Sequence, residues 1–98
     1  MRLQEILIET LEGYVAQGVN GYTYLTSNED KTRFVVVAIS EEQRINSFLN
    51  IAAHLEQDYV VIYHDANNKI LLDALIQNGV PREKIILAYA GETLATAD

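Results

Sequence analysis

The sequence predicts a single domain, residues 1–98, that combines α-helices with a β-sheet. Three observations support this fold class: an amphipathic segment near the N-terminus, a β-branched run at Thr32–Ile39, and a strand–helix–turn–strand pattern at Tyr59–Glu92. A chain of 98 residues has the size of one domain with one hydrophobic core. Residues 40–56 decide between an α+β and an α/β arrangement, and local signals leave both open.

The N-terminal third predicts a helix and then a β-hairpin. Within residues 3–15 the apolar side chains recur at helical spacing, and glutamates lie outside that stripe. Gly18 and Gly21 mark the end of this helical pattern. Tyr22–Thr26 favours a strand, turn-forming residues follow it, and Thr32–Ile39 supplies the second strand.

The last third of the chain carries clear start and stop signals. Asp65-Ala66-Asn67-Asn68 is expected to form a turn and a helix N-cap, with Asn67 or Asn68 as capping residues and a capping role also ordinary for Asp65 at the strand end. Gly79 suits the left-handed position that follows a helix, and Pro81 prevents the helix from continuing. The expected elements are a strand at Tyr59–Tyr63, a helix at Ile70–Asn78, a strand at Ile85–Tyr89 and a fraying tail at Thr93–Asp98.

Residues 40–56 support two interpretations. Ser40 and Gln43 match a capping box, and the apolar residues that follow recur at helical spacing. A helix over residues 41–56 would form a crossover between two parallel strands and give an α/β fold. The same residues also alternate as a strand would, with Phe48 and His54 on the outer side.

The strand interpretation predicts a register across a two-residue turn at Gln57-Asp58. The expected pairs are Glu56 with Tyr59, His54 with Val61, and Ala52 with Tyr63. One face of the hairpin is then aliphatic, formed by Ile51, Ala53, Leu55, Val60 and Ile62. The other face is mixed, as in an antiparallel sheet that is covered on one side.

Composition excludes several classes of function. The 14 acidic and 7 basic residues give a net charge of −7, and the bases are scattered, so we expect no direct binding to nucleic acid. There is no cysteine, which excludes a disulfide framework and a thiolate metal site. No apolar run approaches the roughly 20 residues that span a bilayer, and the N-terminus does not resemble a signal peptide, so the expected location is cytoplasmic without membrane contact.

Two histidines and neighbouring carboxylates are the candidates for a metal or acid–base site. In the strand register His54 lies on the outer face and His64 on the inner face, so the two cannot share one ion. Neither of the strand ends that lead towards helical patterns carries a glycine-rich phosphate loop. The sequence therefore predicts no catalytic residue, no metal site and no cofactor.

Exposed aromatic residues are the remaining candidates for a functional surface. Phe48, His54, Tyr59 and Tyr63 share the outer face in the predicted register, and tyrosines are favoured at interfaces. These four residues form a candidate interface, with a homo-oligomer through the sheet as one expected use. Alternatively, one of the helices covers that face and makes it a second core layer.

The chain resembles the XisI-like family, the fdxN element excision controlling factors of cyanobacteria. The resemblance rests on GVPREKIILAY (Gly79–Tyr89), preceded in order by LEGYV, RFVVVAI, HLEQDYVVIYHDAN and LLDALIQNGVP, and it covers roughly residues 5–91. It implies that residues 44–56 form a strand. The implied fold is α+β: an N-terminal helix, an antiparallel sheet of about four strands, a second helix and a final strand.

The same resemblance implies a function without catalysis. Family members are named for controlling the excision of a DNA element, alongside a partner called XisH and a recombinase. The chain would thus be an accessory or control protein that acts through contacts with a DNA-processing, XisH-like protein. Two alternatives are an antidote-like inhibitor of a nuclease, suggested by the acidic surface, and a small α/β ligand-binding domain, which requires the helical interpretation.

Overall fold

The computed structural model describes residues 2–42 and 45–93. Gln43 of the capping-box pattern and nearly all of the tail thus lie outside the described residues. The elements in chain order are the helix α1 (Leu3–Glu12), the strands β1 (Gly21–Ser27), β2 (Arg33–Ser40), β3 (Asn46–Glu56) and β4 (Tyr59–Asp65), the helix α2 (Leu71–Gln77) and the strand β5 (Ile85–Leu87). Short 3₁₀ turns at Arg82–Lys84 and Ala88–Ala90 flank β5.

The strands form one sheet in the order of the sequence, β1-β2-β3-β4-β5. Each pair from β1 to β4 is antiparallel, and β5 joins β4 in parallel after the crossover through α2. The α+β prediction is confirmed. The helical alternative for residues 41–56 is wrong, because β3 lies between two partner strands, and pairing on both edges outweighs a local helical pattern.

Both helices pack on the same side of the sheet. Leu7 and Leu11 of α1 and Leu71 and Leu75 of α2 share one buried cluster with alternate residues of the strands. The strand residues in that cluster are Phe34, Val36, Ile51, Ala53, Val60, Ile62 and Ile85. This core fixes which side of each strand faces the helices and leaves the other side of the sheet for solvent or partners.

The helix α2 starts and stops for different local reasons. At its C-terminus Gly79 has φ +105°, its N–H bonds to the Ile76 carbonyl (3.0 Å), and the Val80 N–H bonds to the Leu75 carbonyl (2.9 Å). These two bonds form a Schellman motif, so the predicted role of Gly79 is confirmed. The predicted cap within Asp65–Asn68 is present, but Asp65 supplies it instead of Asn67 or Asn68, because its carboxylate accepts the Leu71 N–H at 2.6 Å.

Two irregularities in pairing change which side chains share a face. In β3, Val36 pairs with Ile51 but Val37 pairs with Leu49, so Asn50 is an extra residue relative to β2. Because of the extra residue, each side chain of β3 on the N-terminal side of Asn50 lies on the face opposite to the one that strict alternation predicts. Leu49 therefore takes the outer side, and Phe48, which pairs with the buried Ala38, takes the side of the helices.

The second irregularity is in β4. The predicted pairs of Glu56 with Tyr59 and His54 with Val61 are confirmed, but Ala52 pairs with His64 instead of Tyr63. Tyr63 is the extra residue. As a result His64 lies on the outer side, contrary to the sequence prediction, and Asp65 lies on the side of the helices, where it caps α2.

No helix among the described residues combines the length and the apolar character that crossing a membrane requires.

Candidate functional site

The candidate site is the face of the sheet opposite the two helices, which we call the open face. No described helix packs on it. The strand pairing assigns to it Tyr22, Tyr24, Thr26, Arg33, Val35, Val37, Ile39, Ser47, Leu49, Ala52, His54, Glu56, Tyr59, Val61, His64 and Ile86. The unpaired bulge residue Tyr63 joins this face through its contacts with His54 and Glu56. The sequence alternative in which a helix covers this face is therefore wrong for the described helices.

The open face is apolar and aromatic at its surface. Tyr22 and Tyr24 are each 41% exposed, Tyr63 is 43% exposed and Leu49 is 40% exposed. Of the residues that the pairing assigns to this face, Arg33 and Glu56 carry a formal charge at neutral pH. Exposed aromatic and apolar side chains gathered on one face of a chain with a net charge of −7 are typical of an interaction site.

A polar cluster lies at one end of the open face. The Tyr63 hydroxyl donates to the Glu56 carboxylate at 2.9 Å, and the His54 and Tyr63 ring centroids are 4.5 Å apart. His54 Nδ1 is 3.8 Å from the same Glu56 oxygen. The three side chains converge because His54 and Glu56, two residues apart in β3, share a face and the bulged Tyr63 of β4 points towards them.

The chemistry of this cluster favours recognition over catalysis. The hydrogen bond to Glu56 raises the pKa of Tyr63, and burial adds to the shift. A phenol with a raised pKa stays protonated at neutral pH and acts as a hydrogen-bond donor. The cluster thus holds an aromatic side chain in a fixed orientation at the surface, which lowers the entropy lost when a partner binds.

Other aromatic contacts extend the surface in both directions. The rings of Tyr22 and Tyr24 lie 6.4 Å apart along the edge strand β1. At the other side of the sheet, the ammonium of Lys84 lies 5.0 Å from the centre of the Tyr59 ring, a cation–π distance. The open face therefore presents tyrosine side chains from β1 on one side and from β4 on the other.

The structure brings together three of the four residues of the candidate interface. His54, Tyr59 and Tyr63 lie on the open face, and the His54 and Tyr63 rings are in contact. Phe48, although 52% exposed, lies on the other side, so the prediction that it shares their face is wrong. Sequence reasoning missed Tyr22 and Tyr24, because their face depends on cross-strand register. Its strand interpretation placed Leu49 inward, which is wrong because of the bulge at Asn50.

The side chains of the described residues offer little to a metal ion. No group of three or more His, Cys, Asp or Glu side chains among them could hold one. His64, which shares the open face with His54, has its Nε2 3.1 Å from the Leu49 carbonyl oxygen. That hydrogen bond joins the His64 side chain of β4 to the backbone of β3 and gives it a structural role.

Comparison with known proteins identifies the class of fold. No protein-family model matches the chain, and no curated protein matches its sequence. Among solved structures, the chain has the α+β fold of the XisI-like proteins.

Two of these structures come from Anabaena variabilis ATCC 29413. A XisI-like protein is 14% identical, with a TM-score of 0.63 over 87% of this chain and 78% of that chain. The fdxN element excision controlling factor XisI is 17% identical, with a TM-score of 0.57 over 89% of this chain and 85% of that chain. At these identities the likeness shows a shared fold.

Proposed function

We propose that the chain is a divergent XisI-like accessory or control protein without enzymatic activity, which binds a DNA-processing, XisH-like protein through its open face. The observation that carries the proposal is the side of the sheet on which neither helix packs and where Tyr22, Tyr24 and Tyr63 are exposed. The name of a structural neighbour, an excision controlling factor, supports the kind of process in which the partner works. In this proposal the chain works in the cytoplasm.

The composition of the open face favours a protein partner over DNA or RNA. Proteins that bind single strands combine stacked aromatic side chains with a basic groove along the phosphates. The open face has the aromatic side chains, but its cations are few: Arg33 lies at the same end as Glu56, and the Lys84 ammonium lies over the Tyr59 ring. An apolar surface with so little charge fits another protein surface of similar character.

The proposal is tested by capturing partners on matched variants. We expect the tagged wild-type chain, expressed in its own host, to co-purify with a DNA-processing protein. Tyr24→Asp and Tyr63→Asp each place a charge on the open face and should abolish the capture, because a buried unpaired charge is costly. Val19→Asp is the control, since Val19 is 97% exposed and lies outside the open face.

Excision itself provides the second measurement. Deleting the gene for this chain should change the frequency at which the DNA element is excised, and the wild-type chain, but not Tyr63→Asp, should restore it. Purification of the chain without a stable partner, together with unchanged excision after deletion, would rule the proposal out. Loss of capture by Val19→Asp as well would rule out the open face as the binding surface.

A second candidate function rests on the acidic side of α1. Glu5, Glu9 and Glu12 are all exposed on this helix, which carries no base in its last turn. An antidote-like inhibitor that covers the basic nucleic-acid groove of a nuclease would use such a surface. This function predicts that the partner is toxic when expressed alone and harmless with this chain, whereas the control function predicts no toxicity.

A further inference from the structure

The edge strand β1 leaves a row of backbone groups without partners. Thr23 donates its N–H to the Ala16 carbonyl, and Asn28 donates its N–H towards β2, to Arg33. The N–H and C=O groups of successive residues in a strand point alternately to its two sides. In β1 the N–H and C=O groups of the odd-numbered residues therefore point away from β2. The N–H and C=O groups of Leu25 and Ser27 therefore point outward, and they have no backbone partner among the described residues.

A cleft of about 740 Å³ lies beside this edge, between β1 and α1. Ile8, Val15 and Leu25 give it apolar walls, Lys31 lies beside Ser27, and Glu12 stands at the end of α1. The chain after α1 pairs Ala16 with Thr23, near the N-terminal end of β1, so Glu12 lies towards that end. Lys31 lies at the C-terminal end of β1, in the turn that follows it. Among the residues that line the cleft, Lys31 and Glu12 carry opposite charges at its two ends, and the exposed Glu29 and Asp30 share the turn of Lys31 outside the lining.

We propose that the chain forms a symmetric dimer in which β1 pairs antiparallel with β1 of a second copy, with the two-fold axis at Thr26. In this register Leu25 of each copy lies opposite Ser27 of the other, and their outward groups exchange four hydrogen bonds. The two Leu25 side chains then lie diagonally adjacent on the side of the helices. Such pairing also removes the exposed strand edge, a recurrent route to aggregation.

Charge complementarity supports a second copy as the occupant. Antiparallel pairing brings the Lys31 end of one edge to the Glu12 end of the other, and symmetry makes this contact twice. The register also fits the space at the edge. In each copy Ala16 already pairs with Thr23 of its own β1. The β1 of the other copy leaves the edge at Asn28, opposite Tyr24, and so stops one residue before it would meet that pair.

The dimer goes beyond the proposed function and does not depend on what the open face binds. Continuous pairing would join the two open faces into one surface with Tyr22 and Tyr24 near its centre. A partner with two equivalent sites could then bind both copies, which raises the overall affinity by effective concentration.

Engineered disulfides test the register. The chain has no cysteine, so Thr26→Cys introduces a single thiol. Across the axis the two Cα atoms would be about 4.5 Å apart, a non-hydrogen-bonded spacing that a disulfide can bridge. Tyr24→Cys is the matched control on the same face, because its two copies would be separated by about 13 Å along the strand direction. Mild oxidation should cross-link Thr26→Cys and leave Tyr24→Cys monomeric on a non-reducing gel.

Charge reversal tests the contact between the ends. Sedimentation of the wild-type chain should show a monomer–dimer equilibrium. Lys31→Glu or Glu12→Lys should weaken dimerisation about tenfold, because each change acts twice. The double variant should recover most of the affinity. Circular dichroism of each variant checks that the fold is kept.

Three results would overturn the dimer. One is a wild-type chain that remains monomeric at every concentration measured. Another is a dimer in which Thr26→Cys does not cross-link, which points to pairing through a different surface. The third is equal cross-linking of Thr26→Cys and Tyr24→Cys, which indicates random collision instead of a fixed register.

Discussion

Gly79 is a residue whose backbone conformation limits substitution. Its φ of +105° lies in a region that residues with a Cβ rarely adopt, yet a Cβ built there meets nothing within 4 Å. The need for glycine is therefore conformational and not a matter of space. The chain direction after α2, and with it the position of Val80 in the core, depends on this one torsion angle.

Gly79→Ala should lower the free energy of unfolding by about 1 kcal/mol, the cost of placing a Cβ in a left-handed conformation. Urea denaturation of the wild type and the variant measures this difference. Gly18→Ala is the control, because its Cβ would lie at an ordinary contact distance of 3.5 Å from the Gly21 carbonyl oxygen. Equal stability of Gly79→Ala and the wild type would contradict the role assigned to the torsion angle.

At the scale of elements, α2 illustrates how a strand can supply the cap of a helix. The Asp65 carboxylate at the end of β4 accepts the N–H groups of Leu71 and Asn67, at 2.6 and 3.0 Å, and the Asn67 side-chain amide at 2.9 Å. Asn67 and Asn68, the residues with capping chemistry nearest the helix in sequence, are displaced from this role. Asp65 holds the turn and the first turn of the helix together.

Asp65→Asn should destabilise the chain by about 1–2 kcal/mol, since an amide has one acceptor oxygen where the carboxylate has two and lacks its charge. Thermal unfolding at neutral pH provides the measurement. Asp73→Asn is a matched control in the first turn of α2, where the exposed carboxylate favours the helix dipole alone and its loss should cost less. If the control costs as much, the capping bonds are not the cause.

The two bulges, at Asn50 in β3 and at Tyr63 in β4, are the points beyond which the sequence no longer predicts which face of the sheet a side chain takes. Alternation in β3 correctly placed Ile51, Ala53 and Leu55 towards the core. It failed for Phe48, because a bulge depends on the neighbouring strand and leaves no signature in a strand's own pattern. The same reason explains why the pairing of Tyr63 and the face of His64 were predicted wrongly.

At the scale of the whole molecule, Tyr14 connects the beginning of the chain to its second half. It lies just beyond α1, and its hydroxyl donates to the Lys69 carbonyl at 2.7 Å, immediately before α2. Burial raises its pKa to about 12, and the nearby charges of Asp65 and Asp73 add to the shift. The neutral phenol is thus favoured in the folded state, and its hydrogen bond joins the two helical segments.

The stabilisation from Tyr14 should disappear in alkaline solution. Because the folded pKa lies above the ordinary value of 10.0, the contribution is complete below pH 10 and is lost as the pH rises towards 12. Tyr14→Phe should be less stable than the wild type by about 1 kcal/mol at neutral pH. Unfolding measured from neutral to strongly alkaline pH should show the two curves converging, and a constant difference would contradict the assignment.

Much of the overall architecture could be predicted from the sequence, but the candidate site could be predicted only in part. Helix ends such as Gly79 are encoded locally, so they were located correctly. The strand identity of residues 44–56 was not locally encoded, since their apolar spacing also fits a helix, and the resemblance to a family resolved it. The extent of the open face depends on pairing between distant strands, which is why Tyr22 and Tyr24 joined it only in the folded structure.

The bulge at Tyr63 also has a consequence beyond its own position in β4. One additional residue shifts the assignment of every later side chain in β4, so that His64 and Asp65 exchange the sides they would otherwise take. Losing a single residue from this strand would turn His64 towards the helices and Asp65 towards solvent. The damage would then appear at the start of α2, several residues away from the deletion.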